Sequence, residues 1–447
     1  MPFWKHERVT PAQVIIFAFF FLILAGTGLL LLPVAANGPG GASPLDALFT
    51  ATSATCVTGL ALHDTALYWS PFGQAVILVL IQVGGMGVVT MAVAITMFAG
   101  KKIGLKQRWV MQESIAAPQV GGILRQTKSI LRTAFAMEAV GAGLLALRFC
   151  PQFGLGKGLW YAVFHAVSAF CNAGFDLMGT RSPFSSLTAY AGDPLVTLTV
   201  AALIILGGLG FLTWHDVWEH RFRLGLCRLQ TKLILFTTLL LLLGGGAFFL
   251  YEFSLPQWGE LTVGERGLAA LFQTVTPRTA GFNTVELDKL SGPGQLATIL
   301  LMLIGGSPGS TAGGFKITTL AVLLLTVRSV FHRRESAGCF GRRFPDDALR
   351  SATAIFLLYG LLFLTGGILI CWIDGVALPA ALFESASAIG TVGLSLGITP
   401  GLSAGSKLIL IFLMYFGRVG GLTLLYAVAD RTAPGISQLP RERVAVG

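Results

Sequence analysis

Apolar segments of two lengths alternate along this chain. Eight of them are long, at roughly 20 residues or more, which is the length that an α-helix needs to cross a bilayer. They span residues 14–32, 72–98, 127–149, 194–214, 233–253, 294–327, 348–372 and 406–429. A shorter apolar segment lies inside each successive pair. The pattern predicts an all-α polytopic membrane protein with eight transmembrane helices, built from four helix, pore half-helix, helix repeats around one central pore.

The short segments end in a recurring motif. It reads FTATSATCVTGL at 49–60, FHAVSAFCNAGF at 164–175, FQTVTPRTAGF at 272–282 and FESASAIGTVGL at 383–394. The shared glycines lie 115, 107 and 112 residues apart (59 to 174, 174 to 281, 281 to 393). Such a period over the whole chain indicates four repeats of one structural unit. We place the repeats at residues 14–98, 127–214, 230–328 and 347–429.

Each motif suits a half-helix followed by extended backbone of small residues. Four such segments around one axis would place backbone carbonyls in a ring, where they replace the hydration shell of a cation. Half-helices whose C-termini point at the ring would add the negative ends of their dipoles. The predicted ion-binding residues, called the filter segments below, are Cys56, Val57, Thr58, Gly59, Cys171, Asn172, Ala173, Gly174, Thr279, Ala280, Gly281, Thr391, Val392 and Gly393.

The sixth long segment is interrupted at residues 305–316, which read GGSPGSTAGGFK. Irregular backbone at membrane depth is tolerated where it lines a cavity or is buried in protein, so we predict a mobile constriction below the filter segments. Its residues are Gly305, Gly306, Ser307, Pro308, Gly309, Ser310, Thr311, Ala312, Gly313, Gly314 and Lys316. The alternative is a kinked helix packed through its small residues. A phosphate-binding loop is excluded because Phe315 stands where the lysine belongs.

Several charged or polar side chains lie within or beside the apolar segments. Arg418 follows Gly417 in the eighth segment, and an intramembrane charge is a functional-site candidate. We predict that Arg418 faces the pore as part of the gate, with a carbonyl clamp or salt bridge as the alternative. Arg278 is expected to bond carbonyls or an acid such as Glu384. His165 and Glu384 are interpreted as hydrogen-bonded supports, in preference to a proton relay.

Composition and charge agree with a membrane protein. The chain is 54% hydrophobic and only 12% charged, whereas soluble domains have about 25% charged residues. The net charge of +10 suggests nucleic acid at first sight, but 22 of the 31 Lys and Arg lie in blocks between apolar segments. Those blocks share one side if the filter segments open to the other. This positive-inside distribution predicts that both termini are cytoplasmic. It also predicts that the chain interacts with the lipid bilayer and binds no nucleic acid.

Catalytic and metal-ligand patterns are missing from the sequence. The six cysteines show no CxxC or Cys/His ligand spacing, so neither a zinc site nor a disulfide framework is predicted. We find no nucleophile beside a base and no paired acids or histidines on neighbouring apolar segments. The sequence therefore predicts no enzyme and no cofactor on this chain. The alternative functions are those of an intramembrane enzyme and of a structural scaffold. A scaffold would conduct no ions.

Three features resemble a known family. TCVTGL, CNAGF, RTAGFNT and TVGL in the filter segments, the GGSPGSTAGGFK interruption and GRVGGL around Arg418 resemble the Trk/Ktr/HKT superfamily of potassium transporters over residues 14–429. Eight spanning helices resemble the Ktr membrane subunit more than the longer Trk type. Glycine at all four shared positions is similar to the potassium-preferring members.

The resemblance implies potassium uptake across a bacterial inner membrane, with K⁺ as the transported ion and the only metal, held by filter carbonyls. It implies one pore per chain, a homodimer, and a cytoplasmic KtrA-like ring of regulatory subunits that bind a nucleotide. It also implies that residues 305–316 form an intramembrane gate and that Arg418 lines the pathway. The alternative is a sodium- or proton-coupled potassium symporter of the Trk/HKT type, since discontinuous helices also occur in coupled transporters.

Overall fold

Helices form nearly all of the regular structure. The computed structural model describes residues 10–38, 40–98, 104–114, 121–180, 182–334 and 336–421. The described helices are α1 (Pro11–Leu30), α2 (Pro44–Thr55), α3 (Thr65–Tyr68), α4 (Pro71–Met86), α5 (Val88–Phe98), α6 (Leu105–Ser114), α7 (Ile123–Phe153), α8 (Leu155–Phe170), α9 (Pro194–Gly208), α10 (Phe211–Glu219), α11 (Leu229–Glu252), α12 (Val263–Val275), α13 (Gly292–Leu303), α14 (Ile317–Phe331), α15 (Asp346–Asp374), α16 (Leu378–Gly390) and α17 (Ala404–Val419). A short antiparallel hairpin joins β1 (Gly338–Cys339) to β2 (Arg342–Arg343).

Several of these helices are long and apolar enough to cross a membrane. Among the described residues, α1, α7, α11 and α15 qualify singly, and the number rises to six if the bent pairs α4 with α5 and α9 with α10 each count as one span. Two shorter apolar helices, α13 and α14, flank residues 305–316. The all-α membrane fold is thereby confirmed. The count of eight spans and the repeat boundaries stay predictions, and residues 422–429 of the last predicted segment lie outside the described residues.

Two predicted return helices are broken by sharp bends. The predicted helix 72–98 is divided into α4 and α5 at 96°, and 194–214 into α9 and α10 at 88°. Gly87 and Gly210 stand at the breaks, and each has a φ of 86°. A φ in this region ends a right-handed helix and is adopted readily by glycine alone. The prediction that these two segments are continuous helices is therefore wrong.

A glycine three residues before the break receives the end of a half-helix. Helix α17 likewise ends at a glycine, Gly420, whose φ is 91°. In α4, α9 and α17 the glycine three residues earlier packs against a backbone carbonyl oxygen, which a Cβ at that position would overlap. The pairs are Gly84 with Thr55, Gly207 with Phe170, and Gly417 with Ile389. Each of those carbonyls belongs to the residue four positions before a shared filter glycine. The return helices therefore fix the height at which the filter segments begin.

The half-helices are α2, α8, α12 and α16, where the short apolar segments predict them. Their starts carry recognisable signals: Ser43 Oγ accepts from the Asp46 N–H at 3.1 Å, and Thr262 forms a capping box with Glu265. The phenylalanine that opens each motif is fully buried. These rings are Phe49, Phe164, Phe272 and Phe383. Their burial anchors each half-helix and so positions the backbone that follows its C-terminus.

Candidate ion pathway

The four filter segments meet in a closed ring. Each shared glycine faces the carbonyl oxygen that precedes the glycine of the next segment. The glycine and carbonyl pairs are Gly59 with Ala173, Gly174 with Ala280, Gly281 with Val392, and Gly393 with Thr58. A Cβ on Gly174 would lie 2.6 Å from the Ala280 oxygen and 2.9 Å from the Gly281 Cα. The backbones thus approach more closely than any side chain would permit, and the last segment returns to the first.

The backbone of each filter segment alternates in handedness. The shared glycines have φ between 69° and 95°. The residue two positions earlier also has a positive φ, and these residues are Val57 (51°), Asn172 (57°), Thr279 (70°) and Thr391 (51°). Such a conformation is an outlier for a β-branched residue and costs of order 1–3 kcal/mol where the surroundings hold it in place. Alternation of this kind turns successive N–H groups to one side and leaves the carbonyls to the other.

A hydroxyl group braces each filter segment from behind. It stands four residues after the motif's phenylalanine and belongs to Ser53, Ser168, Thr276 or Ser387. In two segments it accepts from the glycine N–H at 3.0 Å, and in the other two it donates to the carbonyl after the glycine. Thr276 does not fit the pattern of a serine six residues before the glycine, because it is a threonine and the third motif is one residue shorter. Counting from the phenylalanine finds it.

Other hydroxyls near the ring are left without a partner in the part of the chain that the structure describes. The buried oxygens in question include those of Thr55, Thr58, Ser307, Ser310 and Thr391. Buried polar atoms are nearly always hydrogen-bonded, so these oxygens are available to a further ligand. Oxygen atoms, of carboxylates as well as of neutral groups, are the ligands by which proteins bind hard cations.

A cavity of about 210 Å³, the vestibule, opens on one end of the ring. All four shared glycines line it, together with Asp64 and Asp176. Asp64 holds a neighbouring loop, since its Oδ2 accepts a hydrogen bond from the Phe184 N–H at 2.8 Å. Asp176 accepts from the Met178 N–H at 2.9 Å. Burial raises the pKa of Asp176 to about 7, against the lowering effect of that hydrogen bond. Asp176 therefore titrates near neutral pH at the mouth of the ring.

The 305–316 loop lies at the other end of the filter segments, beside the half-helix C-termini. Helix α13 ends at Leu303 and α14 begins at Ile317, so the chain does not form the kinked helix considered as the alternative. A parallel bridge between Ile304 and Phe315 closes the base of the loop, and the Gly305 N–H donates to the Phe315 carbonyl at 2.9 Å. The loop is therefore a compact, mostly buried structure.

Backbone hydrogen bonds tie this loop to the bend between α9 and α10. The donor and acceptor pairs are Ser307 with Gly208 at 3.0 Å, Thr311 with Gly207 at 3.3 Å and Phe211 with Gly309 at 3.0 Å. In addition, the Thr311 hydroxyl donates to the carbonyl of Phe170, the last residue of half-helix α8, at 3.0 Å. Because the helix is broken at Gly210, the Gly207 and Gly208 carbonyls and the Phe211 N–H are available to bond with the loop.

Arg418 connects three elements through one guanidinium group. Its Nη1 donates to the Thr311 carbonyl in the loop, and its Nη2 donates to the carbonyls of Gly84 at 2.5 Å and Gly85 at 2.9 Å at the end of α4. Arg418 and Lys316 also line a second cavity of about 410 Å³, the loop-side cavity. The hydrogen bonds of Arg418 form the carbonyl clamp that is the predicted alternative for this residue. That Arg418 faces the pore as part of the gate stays a prediction.

The remaining buried polar residues support the half-helices. His165 Nδ1 lies 2.7 Å from the Tyr161 carbonyl, and its Nε2 accepts from the Leu177 N–H at 3.3 Å. Glu384 accepts from the Ser395 and Thr399 hydroxyls. The sequence predicts that Arg278 bonds carbonyls or an acid such as Glu384. Among the described residues no ion pair joins it to Glu384, and its buried Nε has no hydrogen-bond partner. These contacts agree with supporting roles for His165 and Glu384.

A backbone ring with a cavity at each end, held among helices long enough to cross a membrane, is the arrangement of a membrane protein with an ion pathway. The sequence matches the family model TrkH, described as "Cation transport protein", over residues 4–433. The chain belongs to this family of cation transport proteins.

Relatives and a solved structure agree with that assignment. The chain is 40% identical to the Ktr system potassium uptake protein B of Bacillus subtilis, over 95% of this chain and 94% of that one. It is 38% identical to the potassium/sodium uptake protein NtpJ of Enterococcus hirae, over 99% and 98%. The crystal structure of the potassium transporter TrkH from Vibrio parahaemolyticus matches the fold with a TM-score of 0.73 at 21% identity, covering 95% of this chain and 86% of that chain.

Proposed function

We propose that this chain is the pore-forming subunit of a Ktr-type potassium uptake system, in which dehydrated K⁺ passes through the ring of filter segments. The observation that carries the proposal is the closure of four backbone segments into one ring, with carbonyl oxygens facing the shared glycines. Backbone carbonyls are the groups that replace the hydration shell of K⁺ in selective channels. The names of relatives at 38–40% identity support potassium as the ion.

The electrostatics of the ring favour a cation. Four half-helices end beside it, and each helix C-terminus carries roughly half a negative charge. On the vestibule side Asp176 adds negative charge when it is ionised. A membrane potential that is negative inside then favours entry by about 2.3 kcal/mol per charge per 100 mV. Passive flow down the electrochemical gradient needs no further energy source on this chain, and no covalent chemistry.

The 305–316 loop and Arg418 act as the gate in this proposal. The backbone bonds to the α9–α10 bend and the guanidinium clamp hold the loop across the space between the ring and the loop-side cavity. Ions pass when those contacts are exchanged for others. The positive charge of Arg418, which lines the loop-side cavity, opposes cations while the loop stays in place.

The orientation and partners belong to the same proposal. The basic linkers support an orientation in the bacterial inner membrane with both termini in the cytoplasm and the vestibule outside. A homodimer with a nucleotide-binding, KtrA-like regulatory ring on the cytoplasmic side would supply control, since a Ktr system by its name has more than one component. The regulatory ring would change how long the contacts of the 305–316 loop persist.

A second candidate is a sodium-coupled potassium symporter. The observation in its favour is the relative named as a potassium/sodium uptake protein, which is 38% identical over 99% of this chain. Coupling would require a second ion site that is filled together with the first, whereas the filter segments form a single ring.

Flux into proteoliposomes tests the proposal. The chain would be reconstituted unaltered, with residues 309–314 deleted, and as Thr311→Val, which removes the hydroxyl bond to Phe170. Thr326→Val is the matched control, because among the described residues the Thr326 hydroxyl bonds only within α14, to the Val322 carbonyl. We expect K⁺-selective flux that rises in the deletion and in Thr311→Val and is unchanged in Thr326→Val. Equal K⁺ and Na⁺ flux, or no flux from any of the four proteins, would count against the filter.

A further inference from the structure

Three metal-ligating residues meet where α10 ends and α11 begins, outside the ion pathway. One ligand atom from each of Asp216, His220 and Cys227 lies within 4.8 Å of the other two. Asp216 and Cys227 are buried, at 4% and 3% exposure. The His220 Nδ1 lies 3.4 Å from Asp216 Oδ1. Two nitrogen or oxygen ligands of a tetrahedral zinc ion, each about 2.0–2.2 Å from the metal, are also about 3.4 Å apart.

The two carboxylate oxygens of Asp216 have different surroundings. Oδ2 accepts from the Arg228 N–H at 2.9 Å and so holds the first turn of α11. Oδ1 is buried and has no hydrogen-bond partner among the described residues. An unsatisfied buried acceptor costs about 1–3 kcal/mol, and more when it is charged. This oxygen lies beside the His220 ring, so an electrophile bound between the three side chains would satisfy it.

We propose that Asp216 Oδ1, a ring nitrogen of His220 and the Cys227 thiolate bind a zinc ion, with water in the fourth position. Thiolate with imidazole favours zinc over K⁺, Mg²⁺ or Ca²⁺, which prefer oxygen ligands. The Cys227 thiol proton passes to solvent when the metal binds. Sulfur and oxygen ligands of zinc are about 3.6 Å apart at tetrahedral geometry, so the sulfur has to move inward by at most about 1.2 Å.

Nearby groups set the condition for binding. His220 Nδ1 also lies 2.9 Å from the Asp216 carbonyl, a contact that it gives up if this nitrogen is the ligand. Arg228 Nε lies 3.8 Å from Asp216 Oδ1, but this side chain is 62% exposed and can turn outward to solvent. Lys232 Nζ is bonded to the Gly225 carbonyl at 2.6 Å. The competing interpretation is that Arg228 alone balances Asp216, in which case no metal binds.

The site would join α10 to α11. Helix α10 begins at Phe211, whose N–H bonds Gly309 of the 305–316 loop. A metal that fixes α10 therefore acts on an element in direct contact with the proposed gate. Sequence reasoning misses this site, because its ligands are spaced by four and seven residues and match no familiar zinc pattern.

Metal binding by the full chain in nanodiscs tests the proposal, with Co²⁺ as a coloured probe and Zn²⁺ as its competitor. We expect one Co²⁺ per chain with a thiolate-to-cobalt charge-transfer band that Zn²⁺ removes. C227S should abolish the band. D216N and H220Q should weaken binding by more than about tenfold, a loss that removal of even an outer-shell partner can cause. Monodisperse elution of each variant would show that the fold is kept.

The same helix supplies the matched control. His215 and Glu219 have the same spacing as Asp216 and His220, lie 3.9 Å apart and are exposed, and they belong to no three-ligand group among the described residues. H215Q should bind Co²⁺ like the unaltered chain, as should C339S, which removes a thiol elsewhere. Absence of a band in the unaltered protein, or a band that survives in C227S, would overturn the site. Neither result depends on ion transport, so the test is separate from that of the proposed function.

Discussion

Among single residues, the shared glycines leave the least room for change. In Gly174→Ala the new Cβ would lie 2.6 Å from the Ala280 carbonyl oxygen, at a φ of 69°. The clash must push neighbouring carbonyls out of the ring. We expect the K⁺ to Na⁺ flux ratio to fall by roughly tenfold, which corresponds to about 1.4 kcal/mol of lost discrimination.

Gly375→Ala is the matched control for that substitution. Gly375 has a φ of 65° at the end of α15, and no atom of the described residues lies within 4 Å of a Cβ built there. It therefore carries the same left-handed backbone cost, of about 1–2 kcal/mol, without any contact to the ring. We expect Gly375→Ala to keep the selectivity of the unaltered chain. An equal loss in both variants would mean that backbone strain, and not the ring, is responsible.

Asp176 makes a pH dependence expected at the vestibule. Because burial raises its pKa to about 7, the carboxyl is mostly neutral below that pH and mostly ionised above it. K⁺ uptake at sub-saturating K⁺ should therefore rise by roughly threefold to tenfold between pH 6 and pH 8, as one added charge attracts the ion. Asp176→Asn should remove this rise.

The control for Asp176 is Asp288→Asn, which neutralises an exposed acid on another loop. Its pH profile should follow that of the unaltered chain. A rise with pH that persists in Asp176→Asn would assign the titration to another group.

At the scale of elements, Arg418 decides how the 305–316 loop is held. Its guanidinium donates to the loop and to the end of α4 at once, which a lysine ammonium lacks the planar fork to do. We expect Arg418→Lys to raise resting K⁺ flux nearly as much as Arg418→Ala, because both break the clamp. If charge repulsion were the barrier instead, Arg418→Lys would keep the low resting flux. Flux into proteoliposomes at zero membrane potential separates the two cases.

Local sequence signals predict some of these elements and not others. The half-helices and the interruption at 305–316 follow from local signals, since apolar length, caps and glycine content act within a few residues. The bends at Gly87 and Gly210 do not, because the contacts beside them come from distant parts of the chain: Gly84 and Gly207 pack against carbonyls of half-helices, and Gly210 lies against the 305–316 loop. The partner of Glu384 is likewise set by the fold, which brings Ser395 and Thr399 to it and leaves Arg278 apart.

For the whole molecule, the ring determines what kind of transport to expect. The shared glycines of all four filter segments meet at one level, and the vestibule and the loop-side cavity lie at its two ends. An ion that crosses this ring carries its own charge past one set of neutral carbonyls. The predicted transport is therefore electrogenic and uncoupled.

The membrane potential at which net K⁺ flux stops shows directly whether transport is uncoupled. A tenfold K⁺ gradient is worth about 1.4 kcal/mol and is balanced by about 60 mV, at about 2.3 kcal/mol per charge per 100 mV. An uncoupled pathway should stop near 60 mV whatever the Na⁺ gradient, as liposomes with a K⁺ ionophore do. One-to-one symport with Na⁺ moves two charges for the same K⁺ gradient, so its flux would stop near 30 mV and shift further with Na⁺. A value near 30 mV that follows the Na⁺ gradient would therefore reject the uncoupled pathway in favour of the symporter.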